Sequence, residues 1–237
     1  MLIVPALVGA GRAGFAPVHA ALAATLLAGW LWFNAAGLAA RAVRRSRYAA
    51  PLLVYGAAAA ACGAVALWLR PSLLAWLVLF VPLAAVSLLH SWRRADRALS
   101  NDAAMIAAAC LFAAVMYDAA RPGAARAEWE AMGWVVVALF AYFFGTALYV
   151  KTVIRERANP AYHRLSVGYH AAWAAFWAGS GLAGVPAGAG TRVALSAFFA
   201  VLTARAALMA GRRVRPLYVG LGEIVASVAV TAIALTW

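Results

Sequence analysis

Apolar stretches of twenty or so residues, separated by short polar gaps, run the whole length of this 237-residue chain. About 20 apolar residues are what a helix needs to cross the hydrocarbon of a bilayer. The pattern predicts spans over 16–40, 48–69, 72–92, 99–119, 132–153, 166–184, 192–210 and 217–237. Residues 1–10 are as apolar, but as a helix they reach only about 15 Å, too short to cross. They read as the tail of a first span whose beginning is absent. The gaps 121–130 and 154–165 read as polar loops, and 185–190 as a turn rich in Gly and Pro. The fold class that follows is all-α. It is a polytopic transmembrane helix bundle of eight full spans and a short truncated first segment, with residues 1–237 as a single transmembrane domain.

Charge gives that bundle a direction. Four basic clusters occupy alternate gaps: Arg41/Arg44/Arg45/Arg47, Arg93/Arg94/Arg97, Lys151/Arg155/Arg157/Arg164 and Arg212/Arg213/Arg215. They hold fourteen of the 20 Lys and Arg; Arg12, Arg70, Arg121, Arg126 and Arg192 lie in the opposite gaps, and Arg205 lies within a span. Basic residues in short loops stay on the cytoplasmic side of a membrane. This bias predicts the four clusters inside and the C-terminus outside. Trp30, Trp32, Trp68, Trp92, Trp129, Trp134 and Trp237 fall near span ends and read as interfacial anchors.

Composition removes the competing classes. The chain is 67% hydrophobic and 11% charged, whereas soluble domains are nearer half apolar and a quarter charged. The net charge of +13 would suggest a nucleic-acid partner in a soluble protein. Here it sits in short loops against headgroups, so the partners expected are the lipid bilayer and an anionic small molecule or lipid headgroup, not nucleic acid. Cys62 and Cys110 lie inside apolar stretches with no C-x-x-C, and read as small buried hydrophobes. His19, His90, His163 and His170 have neither H-x-x-H nor H-x-x-x-H spacing, so no metal site is predicted. Whether a cofactor is bound stays open at this level.

An ionisable side chain in the hydrocarbon costs several kcal/mol unless paired or hydrated, so each one within a span needs a reason. Asp102, beside Asn101, is one turn into its span. Arg205 is about 9 Å deep and Glu223 about 10 Å deep from the inner ends of adjacent spans, by the helical rise. At matched depth on antiparallel neighbours, these two are expected to pair or to share one hydrogen-bonded network. Lys151 ends its span and is the chain's lone lysine; Arg155 follows at i+4, on the same face of a helix. Tyr169 and His170 are one turn into theirs. The candidate site is a polar cavity on the cytoplasmic side lined by Asn101, Asp102, Lys151, Arg155, Tyr169, His170, Arg205 and Glu223. Each has a plainer reading. Asp102 suits a helix N-terminus, Lys151 can snorkel to headgroups, and Arg205–Glu223 can be an ion pair that only sets register. His19, near the outer face, is left open between a cross-helix hydrogen bond and titration.

At Asn101-Asp102, Leu148-Tyr149-Val150-Lys151-Thr152, Ile154-Arg155-Glu156-Arg157, Ser166-Val167-Gly168-Tyr169-His170 and Gly222-Glu223-Ile224 the chain resembles the YwiC-like family of bacterial membrane proteins. The resemblance implies the architecture and a bacterial membrane location, and no particular reaction. Members of that family open with a His-Gly-Ala-type motif, which is absent before Met1-Leu2-Ile3-Val4-Pro5 here. A weaker similarity is to UbiA-type prenyltransferases, whose Asn-Asp-x-x-Asp motif holds magnesium and diphosphate. In this chain Ala103-Ala104-Met105 follows Asn101-Asp102, so the second aspartate is missing, and Glu223 stands alone. Three functions follow. One is binding or transport of an anionic or amphipathic small molecule. Another is a membrane enzyme acting on an isoprenoid or lipid phosphate. The third is a structural membrane protein without a small-molecule site. Whether the chain is an enzyme stays open at this level.

Overall fold

The structure is a computed structural model, and it describes residues 1–209, 212 and 214–237. Ala210 and Gly211, at the end of the seventh expected span, and Arg213 of the last basic cluster lie outside the described residues. Among the described residues the chain is helical without strands: α1 (Ile3–Ala13), α2 (Pro17–Arg41), α3 (Ala49–Leu69), α4 (Leu77–Trp92), α5 (Leu99–Ala120), α6 (Arg126–Val150), α7 (Pro160–Gly179), α8 (Ala189–Met209) and α9 (Pro216–Leu235). They form two compact units, Met1–Ala124 and Ala125–Trp237.

Seven helical stretches are long and apolar enough to cross a bilayer, and α1 is shorter. α7 has the length but not the apolarity, because its first half carries His163, Arg164, Ser166 and His170. It also starts six residues earlier than expected. The Asn159 side chain accepts a hydrogen bond from the Ala161 amide (3.1 Å), and Pro160 takes the first helical position, where its missing N–H costs nothing. In the same way Arg126–Glu130, expected as loop, is the first turn of α6, with the Ala125 amide bonded to the Glu128 carboxylate (2.9 Å). Large apolar side chains on outward faces, such as Leu53, Val54, Leu79 and Val81, are what lipid contact requires.

The first unit is pinned at both ends. At one end the ring of His19 accepts from the Ala16 amide through Nδ1 (3.1 Å) and reaches the Met116 carbonyl through Nε2 (2.8 Å). The sequence left His19 undecided; the geometry makes it a cross-helix tie from α2 to α5, with the ring proton on Nε2. Nearby Arg70 Nε donates to the Ala119 carbonyl (2.9 Å) and Trp76 Nε1 to the Asp118 carboxylate (2.9 Å). At the other end Arg41 pairs with Asp96, so the α2–α3 and α4–α5 connections, both arginine-rich, meet. Between the ends, α1 lies against α5 at backbone distance. A Cβ at Gly9 would run into the Ala113 carbonyl oxygen. Small residues permit this approach where lipid supplies no hydrophobic drive between helices.

In the second unit Trp237 Nε1 donates to the Pro186 carbonyl (2.9 Å), tying the end of α9 to the α7–α8 connection. Trp134 stacks on Phe176 (5.7 Å between centroids) and Trp177 meets Trp237 edge-on (5.5 Å). Trp134 and Trp237, expected as interfacial anchors, thus also pack against rings of α7.

Two outcomes follow. Gly9→Ala should lower the melting temperature of the purified protein, by roughly the 1–3 kcal/mol typical of overpacking. Gly29→Ala, where a Cβ meets nothing within 4 Å, should not lower it. Equal melting temperatures for the two variants would contradict the close approach. The second outcome concerns Asp96, whose carboxyl is held below the ordinary carboxylate range chiefly by the Ser91 hydroxyl; burial opposes this, and the Arg41 charge adds to the lowering. A depressed folded value means stability that is present above the unfolded value of about 3.9 and lost as pH falls through the folded one. Wild type should therefore melt slightly above Asp96→Asn at pH 7, by less than about 1 kcal/mol for so exposed a pair. The gap should close well below pH 4; a gap that persists there would refute this role.

Candidate functional site

The polar residues that matter most in the second unit are spaced by the helix itself. Tyr142, Thr146 and Tyr149 fall at i, i+4 and i+7 on α6, so they share one face; Glu223 and Ser227 share a face of α9. These faces meet around Glu223. Its Oε2 accepts from the Thr146 hydroxyl (2.7 Å) and lies 3.2 Å from the Tyr142 hydroxyl, which is also 3.0 Å from Ser227 Oγ. Its Oε1 is 2.7 Å from Arg205 Nη1 of α8. The Arg205 guanidinium lies over the Tyr149 ring, 4.0 Å from its centroid. Both charged side chains are mostly buried, at 19% and 15% exposure.

The carboxylate thus takes hydrogen bonds from α6 through Oε2 and the charge of Arg205 on α8 at Oε1, while much of the cation is left unbonded. Arg205 Nε and Nη2 are buried and have no hydrogen-bond partner. A buried unmade hydrogen bond is costly, more so for a charged donor. Apolar side chains cluster beside the pair: Tyr149, Val153, Ala206 and Val219, with Val150, Val167, Met209 and Val214 against them.

His170 is fully buried on α7. Its Nδ1 donates to the Ser166 carbonyl (2.7 Å), leaving Nε2 buried without a partner and facing α6. A Cβ at Gly145 would stand 2.7 Å from that nitrogen, so glycine is what lets the imidazole approach α6. α7 is unbroken, so His163, Ser166 and His170 share one of its faces. Tyr169 packs edge-on against Phe144 of α6 (5.5 Å). Lys151 and Arg155 sit in a single wide turn after α6, closed by the Glu156 amide on the Lys151 carbonyl (2.8 Å), an i→i+5 bond. That widening alters the face-sharing expected of an ordinary helix at i, i+4. Lys151 is half-buried and Arg155 exposed.

Asn101 and Asp102 belong to the first unit. Asn101 is buried; its Oδ1 accepts from the Ser87 hydroxyl (2.7 Å) and its Nδ2 donates to the Asp96 carbonyl (2.8 Å). Asp102 stands in the first turn of α5, which starts at Leu99 behind Ala98, a residue with no side chain to cap it. Among the described residues no three His, Cys, Asp or Glu side chains gather as they would around a metal ion. Sequence reasoning found Arg205 and Glu223 but missed Tyr142, Thr146, Tyr149 and Ser227. Their signal was present as polar positions at helical spacing on otherwise apolar helices.

The pair can be tested by a mutant cycle. Glu223→Gln or Arg205→Met alone should destabilise by about 3–5 kcal/mol, since each strands a buried partner. The double variant should recover much of that loss. Purely additive losses would mean the two charges do not interact.

Residues 1–117 match the model of the YwiC-like protein family. A protein of Bacillus subtilis (strain 168) described as "Uncharacterized protein YwiC" is 29% identical over 181 residues, covering 72% of this chain and 70% of its own length. A protein of Haemophilus influenzae (strain ATCC 51907 / DSM 11121 / KW20 / Rd), described as "Uncharacterized protein", is 32% identical over 118 residues, 50% of this chain and 48% of its own. No solved structure matches. Over the matched residues 1–117 and along these relatives the chain is similar to the YwiC-like family, and its long apolar helices are those of a multi-pass membrane protein.

Proposed function

We propose that this protein binds or transports an anionic or amphipathic small molecule, and that the polar core of the second unit takes the ligand's charged group. One observation carries the reading: Arg205 keeps two buried guanidinium nitrogens without a partner while Glu223 holds the third. Such donors fit the oxygens of a carboxylate or phosphate. The rings of Tyr149, Tyr142, Phe143 and Phe198 around or beside the pair favour a ligand with an apolar body. Lys151, Arg155, Tyr169 and His170 belong to the same unit and remain candidate contributors. An ion pair that only fixed register would need no spare buried donors. In this reading the membrane is the bacterial inner membrane, with the four arginine-rich connections in the cytoplasm and the C-terminus outside, as the alternation of charge supports.

Native mass spectrometry of the purified full chain tests the reading. Wild type should retain a copurifying anionic species, and the Arg205→Met/Glu223→Gln double variant, which leaves no buried charge unpaired, should lose it. Identical adducts on both proteins, or none on either, would refute it.

A further inference from the structure

The first unit holds a second basic feature that this reading does not use. A cavity of about 520 Å³ opens at the α4–α5 connection, lined by Arg41, Arg94, Ala95, Asp96, Arg97 and Ala98. The lining holds three arginines and one aspartate. Both oxygens of that carboxylate are engaged: Oδ1 by the Ser91 hydroxyl (2.6 Å) and Oδ2 by Arg41. The lining therefore carries a surplus of positive charge.

The loop is also held in place from beneath. Buried Ser87 bonds buried Asn101, Asn101 bonds the Asp96 carbonyl, and Ser91 and Arg41 bond the Asp96 side chain. A loop that served topology alone would need its charges but not this fixed geometry. At Arg94 the backbone turns left-handed (φ 56°), and it is the one non-glycine residue with positive φ among the described residues. The Arg94 amide bonds the Ser91 carbonyl (3.1 Å) and the Ala95 amide the His90 carbonyl (2.8 Å), the helix ending in which glycine is usual. An arginine stands there instead, and its side chain lines the cavity. The uncapped start of α5 adds the positive end of a helix dipole at Ala98. Asp102, one turn further in, offsets part of it, so the arginines carry the argument.

We propose that this cavity is a phosphate-binding site, in which Arg41, held by Asp96, together with Arg94 and Arg97 grips a phosphodiester or phosphate group. The group would come from an anionic lipid headgroup or from phosphate in solution, and guanidinium geometry suits either. The site is separate from Arg205–Glu223 and does not depend on the function proposed for that pair.

The test compares wild type with Arg94→Gly/Arg97→Gln. Glycine relieves the backbone at position 94, so this variant should fold. Arg44→Gln/Arg45→Gln loses the same charge outside the cavity lining and serves as control. One arm measures phosphatidylglycerol retained from vesicles of 30 mol % phosphatidylglycerol in phosphatidylcholine, by native mass spectrometry. The other titrates inorganic phosphate at constant ionic strength and follows the melting temperature. If the group is a headgroup, lipid retention should fall at least fivefold in the cavity variant and not in the control. If it is free phosphate, a saturable rise in melting temperature should appear in wild type and control and vanish in the cavity variant. Equal loss in both variants, or no difference from wild type in either arm, would overturn the proposal.

Discussion

The hydrocarbon of a bilayer offers no hydrogen bonds, so a polar group within a span must find its partner inside the protein. That constraint explains most of what holds this chain together. Glu223 gathers Thr146, Tyr142 and Arg205 from two other helices because nothing outside would take its charge. Asn101 and Ser87 bond each other for the same reason. Apolar contacts between helices add specificity through close fit, as at Gly9 against Ala113 and Gly145 against His170, rather than through the exclusion of water.

Much of the architecture was legible in the chain. Helices α2, α3, α5, α8 and α9 begin or end within a few residues of the hydrophobic runs, because the thickness of the bilayer and the length of an apolar run are one quantity expressed twice. The early starts of α6 and α7 were not legible from hydropathy. They depend on local hydrogen bonds from Glu128 and Asn159, which a polar sequence makes as readily in a loop as in a first turn.

The polar core was legible in part. Depth counted from the loops brought Arg205 and Glu223 level, since rise per residue is constant along a helix. Counting depth cannot tell which face a residue shows, and so it did not single out Tyr142 and Thr146 from other polar positions. Nor did residue type reveal that Asp96, a loop residue, would anchor the α4–α5 connection; that depends on the path of the loop, which brings Ser91, Asn101 and Arg41 to it. Asn101 holds that loop's backbone.

The division at Ala124 has a bearing on biogenesis. The ties from His19 to Met116, Arg70 to Ala119, Trp76 to Asp118 and Arg41 to Asp96 all close within residues 1–124. None of them waits for a residue made later. As a chain leaves the ribosome at a few residues per second and its early portion settles first, these first five helices can lock to one another while the sixth is still being synthesised.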